Sequence, residues 1–114
     1  MGDVVVPAEL AAVLEGRWDL GDHYRITLSR SGRGMRAHQE ATLRLRGRME
    51  RTDAVEYDAA LRTLQVPGLG AIHRTVVALR WSPPELEYSF RSEVSPAKWT
   101  QGTWEKARRA PEHP

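Results

Sequence analysis

From Trp18 onward the chain keeps a two-residue apolar rhythm, and that period limits its fold more than any other feature of the sequence. Alternate residues of an extended strand point to opposite faces, so the rhythm predicts strands with one dry and one wet face. Tyr24, Ile26 and Leu28 alternate with Arg25, Thr27 and Ser29, and Ser31-Gly32-Arg33-Gly34 then supplies a turn. Leu43, Leu45, Gly47 and Met49 alternate with Arg44, Arg46, Arg48 and Glu50, which predicts one amphipathic strand. Val55 and Tyr57 lead to a turn at Asp58-Ala59-Ala60, and Leu64 and Val66 follow until Pro67-Gly68. His73, Thr75, Val77, Leu79 and Trp81 form one face of a long strand, with Arg74, Val76, Ala78 and Arg80 on the other. Ser82-Pro83-Pro84-Glu85 turns the chain, because proline cannot donate to a ladder, and Leu86, Tyr88 and Phe90 mark the return. Lys98 to Ala107 is the last strand, and the opposite parity of Trp99 and Trp104 places a bulge or turn at Gly102.

About eight short strands at hairpin-like spacing predict an all-β fold, an antiparallel up-and-down meander. Closing the meander into a small barrel would remove its exposed edges. Ahead of it, Pro7 to Glu15 predicts a short helix that lays Leu10, Val13 and Leu14 on one end and stops at Gly16. With 114 residues the chain has material for one core, so residues 1–109 are read as a single domain and 110–114 as a frayed tail.

Gly16-Arg17-Trp18, following a short helix and opening the first strand, resembles the G-x-W start of the calycin group, which includes lipocalins, fatty-acid-binding proteins and avidins. The resemblance implies a small barrel whose bottom Trp18 closes, with a basic side chain of the last strand, Lys106 or Arg108, packed over its ring. It also implies room for one small ligand. Trp18-Asp19-Leu20-Gly21-Asp22 looks like an avidin opening, but the later polar and Trp residues that would cradle biotin are missing. The second glycine of the G-x-W-x-G opening of haem-binding nitrobindins is missing as well.

The functional expectation is non-enzymatic binding of a small, largely apolar ligand inside the barrel. Trp18, Tyr24, Tyr57, His73, Trp81, Tyr88, Phe90 and Trp104 are the candidate ligand-binding residues, since such pockets are mostly apolar with a few polar anchors. The alternative is that these rings fill the barrel and the protein is an interaction or inhibitor-type module. In that case Val4-Val5-Val6 could add as a strand to a partner, or Val76 and Ala78 could form the wall of a homodimer. An enzyme, a small barrel isomerase or cyclase, ranks behind both.

Several classes are excluded. No cysteine means no disulfide frame, thiol catalysis or Cys-ligated metal. No nucleophile elbow, phosphate loop or two-His metal motif is present, so no catalytic residue is nominated and no cofactor is expected. His23 and His38 have Asp19, Asp22 and Glu40 within a few positions, but at no metal-ligand spacing. Seventeen Lys+Arg against fifteen Asp+Glu leave a net charge of +2, too small an excess for a nucleic-acid module. The row Arg44, Arg46 and Arg48, followed by Arg51, is therefore read as a solvated face paired with glutamates such as Glu40, Glu56, Glu85, Glu87 or Glu93. No run approaches the ~20 apolar residues of a membrane span. Residues 1–7 do not read as a secretory leader, so the cytoplasm is expected. Lys98 and Lys106 are the only lysines, an arginine bias that suggests a GC-rich bacterial genome.

Overall fold

The computed structural model describes residues 5–43, 47–69, 75–92 and 104–110. The expectations for Val4, Arg44, Leu45, Arg46, His73, Arg74, Glu93, Trp99, Gly102 and residues 111–114 lie outside the described residues. The described chain is predominantly strand. Helix α1 (Ala8–Leu14) precedes β1 (Gly16–Asp19), β2 (Tyr24–Ser31), β3 (Gly34–Leu43), β4 (Gly47–Ala54), β5 (Glu56–Asp58), β6 (Thr63–Pro67), β7 (Thr75–Ser82), β8 (Glu85–Ser92), β9 (Glu105–Lys106) and β10 (Arg108–Arg109). They form two antiparallel five-stranded sheets, ordered β10-β1-β2-β3-β4 and β5-β6-β7-β8-β9.

Two extended runs are each cut by one residue, and there the chain changes sheet. Val55 donates its N–H to Met35 O on β3 at 2.9 Å, after which Glu56 pairs with Gln65 on β6. Ala107 donates to Leu86 O on β8 at 2.8 Å, after which Arg108 and Arg109 pair with Asp19 and Trp18 on β1. The inward rows of both sheets build one core. Ile26, Leu28, Leu64, Val66, Val77, Leu79 and Leu86 are fully buried in it, each worth roughly 1.5–3 kcal/mol against exposure.

Seven residues are too few for a helix to persist alone in water, so α1 depends on what it docks against. Ala11 and Leu14 are buried and Leu10 is half-buried, whereas Val13 is 37% exposed. Positions 10, 11 and 14 make the docking stripe, and Val13 falls outside the face assigned to it. Trp18 Nε1 donates to Leu14 O at 2.9 Å, which fastens the helix end to β1. Arg109 lies over the Trp18 ring at 4.0 Å and donates at 2.6 Å to each of Val13 O and Glu15 O, carbonyls that the helix leaves unpaired. The cation over Trp18 is thus Arg109, not Lys106 or Arg108. Parity decides this: Arg109 is the cross-strand partner of Trp18, while Arg108 pairs with Asp19 and Lys106 with Glu87 on the other row.

Three further expectations change. The amphipathic strand read across 43–50 is divided: β3 ends at Leu43, whose antiparallel cross-strand partner is Gly47 at the start of β4, and Gly47 takes φ +71°. Arg51 does not continue the row of Arg48. It pairs with Gln39 on the inward row, while Arg48 pairs with Thr42 on the outward one. Val76 and Ala78 are 6% and 1% exposed and Val6 is buried with its N–H on Arg33 O, so none of the three is an open docking surface.

Gly16 holds φ +125°, and a Cβ there would collide with the Arg109 guanidinium. Gly16→Ala is expected to cost on the order of 1–3 kcal/mol in urea unfolding, because it adds backbone strain and expels Arg109 from Trp18. Arg109→Ala should lose less than Gly16→Ala, and in the double variant the two costs should fall short of additive.

Candidate ligand site

At the end of the sheets away from α1, β1 and β2 are joined by residues 20–23. The joint is closed by Leu20 N on Tyr24 O at 2.8 Å, and His23 O accepts from Thr42 N at 3.0 Å. Gly21 takes φ +85° there, with the Tyr88 hydroxyl 3.4 Å from where a Cβ would stand. The register aims three rings at this end: Tyr24 opens the inward row of β2, and Tyr88 and Phe90 close that of β8. Phe90 meets Tyr24 edge-on at 5.0 Å between centroids and Tyr88 at 5.6 Å. Such contacts hold ring orientation by quadrupole complementarity. Phe90 is nevertheless 45% exposed.

The polar ends of the two tyrosines are both engaged. Tyr24 Oη donates to Gln39 Oε1 and accepts from Leu69 N at 3.3 Å, and burial pushes its pKa up to about 12. Tyr88 Oη donates to Glu105 Oε2 at 3.0 Å; burial first, and then this carboxylate, hold its pKa above the usual phenol value. Arg25 donates to Asp19 Oδ1 at 2.8 Å, which holds the guanidinium charged. Two open clefts flank the rings. One of about 330 Å³ is lined by Asp22, His23, Tyr24, Arg25, Glu40 and Arg48 among others, and one of about 430 Å³ by Asp19, Asp22, Arg25, Tyr88, Glu105 and Arg108. Each cleft carries both signs of charge and is bordered by one of the two tyrosines that contact Phe90.

Of the eight candidate residues, the structure gathers Tyr24, Tyr88 and Phe90. Trp18 is at the opposite end under Arg109. Tyr57 and Trp81 are half-buried and pack on the core. Trp104 stands over the outward rows of β7 and β8, with the guanidiniums of Arg80 and Arg91 at 4.3 and 4.7 Å from its ring centre. Burial, and then the Arg80 charge, hold the Arg91 pKa below the ordinary guanidinium value. Asp22, Arg25, Gln39 and Glu105 join the site without having been nominated, since neither a charged residue near a strand end nor a buried amide within a strand adds to an apolar period.

Because the Tyr24 pKa is raised in the folded chain above its unfolded value near 10, its contribution is fully present below pH 10 and is lost as pH rises toward 12. Stability measured by urea at pH 9, 10, 11 and 12 should fall across that window. In Tyr24→Phe the fall should be shallower, on a lower plateau, because Gln39 Oε1 loses its donor.

The chain matches no family model, and no match of significance is found among curated proteins or solved structures. No helix among the described residues is long and apolar enough to cross a membrane.

Proposed function

We propose that this protein is a non-enzymatic carrier of a small, largely apolar ligand, which lands on Phe90 at the end away from α1. The observation that carries the reading is a large apolar ring left 45% exposed while two tyrosines brace it edge-on. An exposed apolar ring held in one orientation by tyrosines that each line a polar cleft is the pattern of a binding site. In this reading the two sheets act as one curved, calycin-like wall, an idea supported by the sheet-changing runs at Val55 and Ala107 and by Arg109 over Trp18. The ligand rests at the rim rather than at depth, because Gln39 and the aliphatic rows occupy the interior. A single polar group on it would face Arg25 and Asp22. We place the cysteine-free protein in the cytoplasm.

Titration with 1-anilinonaphthalene-8-sulfonate tests the site. One probe per chain is expected to bind the native protein with quenching of Trp emission. Phe90→Ala should weaken binding by about tenfold to a hundredfold, the loss of roughly 1.5–3 kcal/mol of ring burial. Val13→Ala, at the far end, should leave it unchanged. Absence of binding, or equal binding by Phe90→Ala, would overturn the assignment.

A further inference from the structure

The outward face of the first sheet carries a second constellation, on a pair of strands whose register is fixed. Across β3 and β4, His38 faces Thr52 and Glu40 faces Glu50. His38 Nε2 lies 3.7 Å from Glu40 Oε1 and 3.4 Å from Glu50 Oε2, and one ligand atom from each of the three residues lies within 4.8 Å of the others. On the other side of the ring, His38 Nδ1 is 2.6 Å from Thr52 Oγ1. We propose that His38, Glu40 and Glu50 form a binding site for a divalent transition cation, with Zn²⁺ as its simplest occupant.

The distances match the ligand, because a tetrahedral ion with ligands at 2.0–2.1 Å sets them about 3.3–3.4 Å apart. Two of the required edges are already within a few tenths of an ångström of that length. The partner of the other ring nitrogen fits a ligating histidine as well. When Nδ1–H donates to Thr52 Oγ1, Nε2 turns a lone pair toward two carboxylates, an arrangement that is repulsive until a cation stands between them. A ligating histidine commonly has its other ring nitrogen held by such a partner. Glu40 and Glu50 also sit directly opposite each other, and like charges at that position cost stability unless something positive bridges them. Arg48 now supplies part of that charge, loosely, with Nη2 at 3.7 and 3.8 Å from one oxygen of each glutamate on a side chain 70% exposed. A metal ion held by shorter bonds would displace it. One imidazole among the donors favours Zn²⁺, Ni²⁺ or Cu²⁺ over Mg²⁺ or Ca²⁺, and water completes the open positions. Glu40 and Arg48 also border the smaller cleft, but the site does not require a ligand on Phe90.

Calorimetric titration of the intact chain with ZnCl₂ tests the assignment. The wild type is expected to bind one Zn²⁺, His38→Ala to lose tenfold or more, and Thr52→Val to lose about tenfold. Arg48→Ala should bind more tightly than the wild type, a gain that impaired folding cannot produce. Circular dichroism of each variant checks that the sheets persist. The proposal is overturned if wild type and Arg48→Ala both give no binding heat, or if folded His38→Ala binds Zn²⁺ as the wild type does, which would place the ion on other histidines.

Discussion

A fully buried amide on β3 governs how the two sheets can face each other. Gln39 is 0% exposed, and its Oε1 accepts from the Tyr24 hydroxyl on β2 while its Nε2 donates to Pro67 O at the end of β6, at 2.6 Å. An amide left unpaired in such a place costs about 1–3 kcal/mol, so the interior is stable only when both ends are met. That requirement fixes three strands from two sheets at one depth. Arg51 repeats the connection from β4, donating to Pro67 O at 3.0 Å and Gly68 O at 3.1 Å. Where backbone ladders join strands within a sheet, side chains join the sheets here.

The two ends of the molecule then take on different characters. At one end α1, Trp18 and Arg109 satisfy the chain's orphan carbonyls and leave little polar backbone for a ligand. At the other, Tyr24 and Tyr88 spend their hydroxyls on Gln39 and Glu105, and both rings stand edge-to-face with Phe90. Closure at one end and engagement of polar groups at the other therefore follow from the same hydrogen-bond demands.

What could be read from the sequence is what carries apolar period. The helix, β2, the β7–β8 hairpin and the buried rows Ile26/Leu28, Leu64/Val66 and Val77/Leu79 follow directly from alternation and from Gly and Pro punctuation. β3 escapes that reading because its inward row is Met35, Ala37, Gln39 and Ala41, two small residues and an amide among four, with no branched aliphatic or aromatic side chain to mark the alternation. Alternation alone therefore places one strand across 43–50, whereas β3 ends at Leu43 and β4 begins at Gly47. Glu50 could not be assigned to His38 for a related reason. They are twelve residues apart in the chain, and only the Leu43–Gly47 register brings them within 3.4 Å. Arg109 was passed over for its neighbours because two residues of opposite parity differ in sequence by one position but in space by the whole thickness of a strand.

The composition of β4 follows from its place at the edge of the first sheet. Its outward row is Arg48, Glu50 and Thr52, and its inward row is Met49, Arg51 and Asp53, so neither face offers much apolar burial. Ion pairs such as Arg51 with Asp53 at 2.7 Å lie at the surface, where each is worth roughly 0–1 kcal/mol. The strand is therefore held chiefly by its ladder to β3 and by the bonds of Arg51 to Pro67 and Gly68. Apolar residues in those rows would bind more strongly to the core, but they would also leave an open edge ready to pair with another chain. Charges on both faces give up that burial and deter such pairing, and they place Glu50 opposite Glu40, the juxtaposition on which the outward His38 cluster depends.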